Sequence, residues 1–237
     1  MKILVIGGMH GNETLGLKVV KLFQDNPVLE VDTLLANEQA IEANCRFVEQ
    51  DLNRSFPGDS KSDKYEFKRA SEILKTARKY DVVLDFHNTH CPENDCGFVG
   101  ETASEKLTDV AWVLGLDKVI VADYECINKA SNNCLSVEVS LDSKLNDAKL
   151  WYERIVKLSK LDSITTKSKV QKFRFVYRMS IEDKERLGLD KQNLRAFKPL
   201  SKKLSDAMGV NAPAYPIFIG DSFTPYNYGG LLNEIQN

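Results

Sequence analysis

The sequence lacks the features of a membrane protein or a nucleic-acid-binding protein. No apolar stretch approaches the roughly 18–20 residues that a transmembrane helix needs, and the first apolar run is too short for the core of a signal peptide. Basic residues are not in excess, because 32 Lys and Arg stand against 34 Asp and Glu, giving a net charge of −2. A nucleic-acid-binding protein would show a basic surplus. We therefore expect a cytoplasmic protein without a membrane or nucleic-acid partner.

Cysteine and histidine are both scarce. The five cysteines are an odd number and argue against a complete disulfide framework, so we expect reduced thiols. Cys91 and Cys96 lie near His87 in the chain, but their spacing matches no common zinc pattern. The histidines number three, and two of them, His10 and His87, directly follow or end apolar runs that we predict to be strands.

The apolar residues that are present have the pattern of an α/β protein. They make up 43% of the chain, which is enough for a core. Short apolar runs alternate with amphipathic segments such as 14–25, and this predicts a mixed, mainly parallel sheet flanked by helices. Beyond about residue 160, alternation over 169–178 is typical of a half-exposed strand. We predict a hydrolase domain over 1–160 and a small β-rich C-terminal domain over 161–237.

Three residues at the predicted strand ends form a candidate metal site. The first strand ends in Gly7 and Gly8, and His10 and Glu13 follow. Ligands of open α/β sheets collect at such strand ends, and positions three apart on a helical turn share a face. His87 completes a set of three, the number of protein ligands that a catalytic zinc keeps. Taken alone, His-x-x-Glu fits a solvent-facing helix start equally well.

A polar, aperiodic segment over 45–58 holds two arginines and an asparagine: Arg46, Asn53 and Arg54. A guanidinium group can hold a carboxylate through two hydrogen bonds. A second arginine could polarise a carbonyl as charge develops on its oxygen. The simpler alternative is that both arginines are ordinary surface residues.

Glu138 interrupts the apolar run 135–139. A carboxylate in such a strand is costly unless it is paired or functional. If Glu138 faces the metal site, it is the natural general base for activating water. Alternation along the strand could instead direct it to solvent.

Charge is distributed unevenly along the chain. Residues 158–237 hold 13 basic and 8 acidic side chains, whereas the first 157 residues hold 19 basic and 26 acidic ones. This asymmetry is either ordinary surface variation or a basic cap over a site that takes anions.

The candidate residues fall within motifs that resemble the aspartoacylase/succinylglutamate desuccinylase family of the zinc carboxypeptidase superfamily. Four motifs occur in family order, and 215–219 is similar to the C-terminal signature of the family. The four are His10-Gly11-Asn12-Glu13, Asp51-Leu52-Asn53-Arg54 with Phe56, Asp85-Phe86-His87-Asn88-Thr89, and Val137-Glu138-Val139.

This resemblance implies a zinc carboxypeptidase-like fold and a zinc-dependent amidohydrolase that removes an acyl group from a small anionic N-acyl amino acid. It implies one zinc ion per chain and is compatible with a homo-oligomer. The implied site residues are His10, Glu13 and His87 as zinc ligands, Asn53 and Arg54 as the clamp on the substrate carboxylate, Arg46 as the group polarising the acyl carbonyl, and Glu138 as the proton shuttle.

Two substrate-binding positions differ from the family pattern. Aspartoacylases use an arginine about ten positions before the catalytic glutamate to bind the aspartyl side chain, and we match it to Lys129. Lysine keeps the positive charge of arginine but lacks the guanidinium group that makes two parallel hydrogen bonds to a carboxylate. This predicts selectivity for acids and leaves aspartate specificity open. The tyrosine that closes the site in aspartoacylases is matched to Tyr226, displaced by two positions, with Tyr228 as the alternative.

Three other functions remain open from the sequence. One is an activity like that of succinylglutamate desuccinylase, and another is a carboxypeptidase acting on small peptides, which a wide, open cleft would favour. The third is a non-catalytic metal-binding or metabolite-binding protein. Such a protein would be expected to lose its general base, and this chain keeps Glu138.

Overall fold

A computed structural model describes residues 1–122, 124–164, 168–190, 193–220 and 227–235 of the protein. Strands alternate with helices over the first 160 residues, as predicted. The strands are β1 (Ile3–Gly7), β2 (Val31–Leu35), β3 (Val82–Thr89), β4 (Cys96–Gly100), β5 (Lys118–Ala122), β6 (Cys134–Ser140), β7 (Gln171–Ser180), β8 (Tyr215–Ile217) and β9 (Asn227–Ile235).

The helices are mostly short, and among those described none combines the length and apolar composition needed to cross a lipid bilayer. A 3-10 turn at Leu52–Arg54 interrupts the segment predicted as a loop. The helices are α1 (Thr14–Asp25), α2 (Glu38–Glu42), α3 (Tyr65–Ala77), α4 (Glu105–Val113), α5 (Ile127–Ala130), α6 (Ala148–Ser159), α7 (Ile181–Leu187) and α8 (Lys202–Ala207).

The described strands form one nine-stranded sheet in the order β2-β1-β3-β6-β4-β5-β7-β9-β8. Five of the eight strand pairings are parallel, and the antiparallel ones are β4 with β6, β7 with β9, and β8 with β9. The predicted fold class, a mixed and mainly parallel sheet flanked by helices, is confirmed.

Alternation along β3 separates the core from the polar face of the sheet. Leu84 and Phe86 point into an apolar cluster with α1, α4 and α6, where the Phe86 ring meets the fully buried Trp151 at 5.2 Å between centroids. Because side chains in a strand alternate between faces, Asp85 and His87 point to the opposite side. Near β1, helix α3 covers that side of the sheet. Near the strand ends, polar groups lie together on it.

Two glycines bring α1 close to the sheet. A Cβ atom added at Gly16 would lie 2.9 Å from the Cα of Gly7 and 2.9 Å from the Cβ of Phe86. Real side chains do not come this close, so only glycine permits the observed packing. The close contact holds the first turn of α1, with Glu13 immediately before it, against the ends of β1 and β3.

The C-terminal part of the chain extends the same sheet, because β7 pairs with β5 and β9 pairs with β7. The sequence did not predict β9 or the short helices α5, α7 and α8. Glycines at 229 and 230 weaken the strand signal of β9, although Gly230 is needed there because the ring of Phe175 lies against it. The division into two domains at residue 160 stays a prediction, which limited proteolysis would test.

A buried carboxylate fixes the loop between α2 and the 3-10 turn. Glu66 has no exposed surface, and its Oε1 accepts hydrogen bonds from the backbone N–H groups of Val48, at 2.8 Å, and Glu49, at 3.2 Å. Glu49 returns the contact, since its Oε2 accepts from the N–H of Tyr65 at 2.6 Å. The two carboxylates therefore tie the loop, which carries Arg46, to the first turn of α3.

We predict that Glu66→Ala lowers the free energy of unfolding by about 2–3 kcal/mol, because two backbone N–H groups lose a charged, buried acceptor. Glu72→Ala, at an exposed position of the same helix, is the matched control and should cost less than about 1 kcal/mol. Urea denaturation measures both values. Similar losses for the two variants would contradict the role assigned to Glu66.

Candidate metal centre and substrate cavity

Two imidazoles and a carboxylate converge at the ends of β1 and β3. The Nδ1 atom of His10 lies 2.7 Å from Oε1 of Glu13, and Nδ1 of His87 lies 3.1 Å from Oε2 of Glu13. The two Nδ1 atoms are 3.3 Å apart. All three side chains are almost completely buried, and one ligand atom from each falls within 4.8 Å of the others.

A second carboxylate stands behind each imidazole. The Nε2 of His87 is 2.7 Å from Oδ2 of Asp85, and the Nε2 of His10 is 3.1 Å from Oδ1 of Asp51. Because these carboxylates bind the Nε2 side of each ring, the Nδ1 atoms are directed toward one another and toward Glu13. Carboxylate partners of this kind orient metal-binding histidines. Two nitrogens and one carboxylate oxygen also match the donors of a catalytic zinc, so the residues fit a metal ion.

The charges of the cluster follow from its burial and from its partners. Burial alone would raise the pKa of Glu13, but the nearby imidazoles of His10 and His87 lower it far below its usual range. The pKa of Asp51 is likewise lowered, against the effect of burial, mainly by the hydrogen bond from His10 and by its charge. Both carboxylates therefore stay ionised at neutral pH, the form in which they bind a cation or an imidazole N–H.

His87 shows the opposite shift. Burial lowers its pKa, but the adjacent carboxylates of Asp85 and Glu13 outweigh this and raise the pKa well above the usual value. The site thus favours positive charge at the position where the two Nδ1 atoms meet, which is the charge that a metal ion would bring.

Arg46 joins the metal cluster to the polar loop. Its Nη1 lies 3.4 Å from Oε1 of Glu13, and its Nη2 lies 3.1 Å from Oδ2 of Asp51. The second contact is the closer one and anchors the guanidinium through Asp51. Arg46 lines the cavity together with the three candidate ligands.

A cavity of about 420 Å³ opens beside the cluster. It brings together seven of the residues predicted from the sequence. Tyr228 is not among the described lining residues and packs in another apolar cluster, whereas Tyr226 lies outside the residues that the structure describes. The seven are His10, Glu13, His87, Arg46, Asn53, Arg54 and Glu138.

Glu138 faces the cavity rather than solvent. It pairs with His87 across the parallel strands β3 and β6, so the two side chains project from the same face of the sheet. Its side chain is half-buried and lines the cavity near the candidate metal ligands. The position suits a general base, and that role stays a prediction.

Asn53 and Arg54 present donors to the same cavity. The Oδ1 of Asn53 accepts a hydrogen bond from the N–H of Ile127 at 3.4 Å, which leaves its Nδ2 to donate elsewhere. The guanidinium carbon of Arg54 lies 4.6 Å from the centre of the Tyr124 ring, so the aromatic face supports the charged group. Together they offer an amide and a guanidinium group to an anion.

Lys129 does not reach the cavity as the sequence led us to expect. It is absent from the described lining residues, and its Nζ lies 2.6 Å from Oε1 of Glu125 on the protein surface. The residue that lines the cavity is its neighbour Asn128, which stands ten positions before Glu138 and is almost completely buried. The match to the family's arginine therefore belongs one residue earlier, and the predicted role of Lys129 has no support in the cavity lining.

Several residues of the site carried no predicted role. Asp51 lines the cavity and Asp85 lies behind His87; both stand in the quoted motifs, and the spacing of Asp85, two residues before His87 on a strand, was a signal that both share a face. Arg178 and the aromatic lining residues gave no such signal, because distant strands and loops bring most of them to the cavity. The aromatic ones are Phe47, Phe98, Tyr124, Phe175 and Phe218.

We predict that Asp85→Asn weakens binding of a divalent metal ion by about 10- to 100-fold, because the amide no longer orients His87 through a charged hydrogen bond. Competition with a chromophoric chelator, with Zn²⁺ as the probe ion, measures the affinity. The control is Asp81→Asn, at the exposed start of the same segment, which should leave the affinity unchanged. Equal affinities for the Asp85 variant and the unmodified protein would contradict the positioning role.

Known proteins share both sequence and fold with this chain. Residues 1–113 match the family described as the succinylglutamate desuccinylase/aspartoacylase catalytic domain. An N-acyl-aromatic-L-amino acid amidohydrolase (carboxylate-forming) from Xenopus laevis is 38% identical over 104 residues, which are 37% of this chain and 34% of the relative. A probable aspartoacylase from Nostoc sp. is 31% identical over 146 residues, which are 55% of this chain and 50% of the relative. The chain thus spans between a third and a half of the relatives that it matches.

Solved structures extend the likeness to the whole chain. Succinylglutamate desuccinylase from Chromobacterium violaceum has a TM-score of 0.77 at 17% identity, covering 100% of this chain and 85% of that one. Murine aminoacylase 3 has a TM-score of 0.67 at 19% identity, covering 99% and 96%. At such low identity these two matches show the fold, a zinc carboxypeptidase-like one, and the sequence matches add the family. The four motifs, the match over residues 1–113 and the shared fold agree, and together they support the aspartoacylase/succinylglutamate desuccinylase family for this chain.

Proposed function

We propose that the protein hydrolyses the amide bond of an N-acyl amino acid, using one zinc ion held by His10, Glu13 and His87. The observation that carries the proposal is the common cavity of a two-imidazole, one-carboxylate cluster, two arginines and a carboxylate beside the cluster. The relatives named as amidohydrolases and aspartoacylases support the same reaction type.

Zinc fits the donor set and the chemistry. The carboxylates of Asp51 and Asp85 orient the two imidazoles, and the ionised Glu13 contributes negative charge. When bound, zinc supplies a Lewis acid that lowers the pKa of water and polarises a carbonyl group. The protein's part is to hold three ligands on one side and to leave the cavity side open.

The substrate would be oriented by its carboxylate. Asn53, through Nδ2, and Arg54, through its guanidinium group, would bind the α-carboxylate of the amino acid. Arg46 is anchored to Asp51 by Nη2, so its Nη1 can turn from its longer contact with Glu13 to the oxygen of the acyl carbonyl. Charge that develops on this oxygen during attack would be stabilised by the guanidinium.

Glu138 would carry the proton. It would accept a proton from the attacking water and deliver it to the amine nitrogen as the carbon–nitrogen bond breaks. Its neighbours Val137 and Val139 are fully buried on the opposite face, which holds the strand and restricts movement of the carboxylate. The products would be a free amino acid and the carboxylic acid of the acyl group.

A substrate panel tests this proposal against its alternatives. The full chain, stripped of metal with a chelator and reloaded with zinc, would be incubated with N-acetyl amino acids, N-succinyl amino acids and dipeptides. Release of free amino groups from N-acetyl substrates supports the proposal. Preference for N-succinylglutamate would indicate a desuccinylase, and cleavage of dipeptides alone would indicate a peptidase. No turnover of any compound at full zinc occupancy would overturn the enzymatic function.

We predict that Glu138→Gln lowers kcat about 10²- to 10⁴-fold, because the amide keeps the shape of the side chain but cannot take the proton. Zinc content and far-UV circular dichroism should stay unchanged, since Glu138 is not a proposed ligand. Glu105→Gln, at an exposed helix position, is the control and should keep normal turnover. Near-normal turnover of the Glu138 variant would require another base.

A further inference from the structure

Four aromatic side chains cover one side of the cavity, and we refer to Phe98, Tyr124, Phe175 and Phe218 as the aromatic wall. Phe98 and Phe218 are stacked with their centroids 6.0 Å apart and their planes 9° apart. Tyr124 and Phe175 meet edge to face at 6.3 Å. All four line the same cavity as the candidate metal ligands. Rings in mutual contact form a firm apolar surface.

Part of this wall lies at an irregularity in β7. The pairing of β7 with β9 shifts register between Phe175 and Tyr177. In a regular strand, residues 175 and 178 would point to opposite faces, whereas both line the cavity here. The bulge therefore brings Arg178 to the same face as Phe175, and Gly230 on the paired strand leaves room for the Phe175 ring.

Asn128, which lines the cavity beside the wall, brings no charge to it. The Nδ2 of Asn128 donates to the carbonyl oxygens of Phe98, at 2.9 Å, and Cys134, at 3.1 Å. Its Oδ1 lies 2.9 Å from the hydroxyl of Ser136, which can donate to it. Every polar atom of this amide therefore has a partner within the protein. Asn128 has no free N–H group to offer to a substrate carboxylate.

The wall begins next to the proposed carboxylate clamp. Arg54 lies over the ring of Tyr124, with 4.6 Å between the guanidinium carbon and the ring centre. In an amino acid, the side chain leaves the carbon that bears the carboxylate. A substrate whose carboxylate binds Arg54 thus has its side chain within reach of Tyr124 and the rest of the aromatic wall.

From this arrangement we infer that the cavity selects N-acyl amino acids with an aromatic or large apolar side chain over those with an acidic one. The inference rests on the proposed hydrolase function and names the substrate class of that site. Burial of a phenyl ring against the wall should favour such a substrate by about 10- to 100-fold. An acidic side chain would instead lose hydration against apolar rings.

One charged residue could reverse this preference. Arg178 is exposed and also lines the cavity, near Phe175. If it reached the side chain of a bound substrate, it would favour an acid. The experiment therefore includes this residue.

The test compares four N-acetyl amino acids on the zinc-loaded full chain: those of phenylalanine, leucine, alanine and aspartate. We expect kcat/KM for N-acetylphenylalanine to exceed that for N-acetylaspartate by at least about 10-fold, with leucine above alanine. Turnover with aspartate preferred would overturn the inference while leaving the hydrolase function intact. Loss of that preference in Arg178→Ala would then identify the cause. Absence of turnover with all four and with the N-succinyl amino acids of the panel would reject both, whereas turnover of N-succinyl substrates alone would reject the inference and leave the hydrolase function intact.

Variants of the wall supply a second measurement. Phe175→Ala should lower the ratio of kcat/KM for N-acetylphenylalanine to that for N-acetylalanine by about 10-fold, because one ring of the wall is lost. Phe175→Leu should give a smaller decrease and serves if the alanine variant does not fold. Val176→Ala, on the same strand but outside the described cavity lining, is the matched control and should keep the ratio. An unchanged ratio in both Phe175 variants would overturn the role of the wall.

Discussion

The crowding of two imidazoles around one buried carboxylate is the constraint on which the site depends. Three polar groups occupy a space nearly without solvent, and their Nδ1 and carboxylate atoms lie within about one hydrogen-bond length of one another. Such an arrangement is costly unless positive charge is present to be shared. Asp51 and Asp85 give the arrangement its geometry, because they bind the Nε2 side of both rings and so direct both Nδ1 atoms toward Glu13.

The convergence of the three candidate ligands was predictable because it depends on local features. Strand ends, a three-residue spacing and a second strand-end histidine place His10, Glu13 and His87 together in any parallel sheet in which β1 and β3 are neighbours. The register of β3 and β6 also explains why Glu138 was found, since its strand lies next to that of His87. Patterns within one or two elements were sufficient for all four positions.

The remaining features depend on distant contacts or on a single residue of register. Lys129 and Asn128 are neighbours in the four-residue helix α5, where one step turns a side chain by about 100°, so a match one residue late selects the surface instead of the cavity. The bulge in β7 follows from its pairing with β9, and the glycines of β9 weaken the sequence pattern that would predict that strand. Because the residues of the aromatic wall come from β4, β7 and two loops, no local sequence pattern predicts it. The chain after residue 160 thus contributes the shape of the cavity more than its reactive groups.

The contact between Gly7 and Gly16 couples the position of α1 on the sheet to the position of Glu13. Glu13 stands just before α1, and the helix is seated against β1 and Phe86 through a gap that admits no methyl group. A Cβ atom added at Gly16 would displace α1 from the sheet. The displacement would also move the carboxylate of Glu13, which stands just before the helix. Since α1 also packs broadly on the apolar cluster, the sheet could survive a displacement that already separates Glu13 from the two imidazoles. Separation of the three candidate ligands and loss of folding would then occur at different sizes of displacement, so a chain that still appears folded could have lost its candidate metal centre.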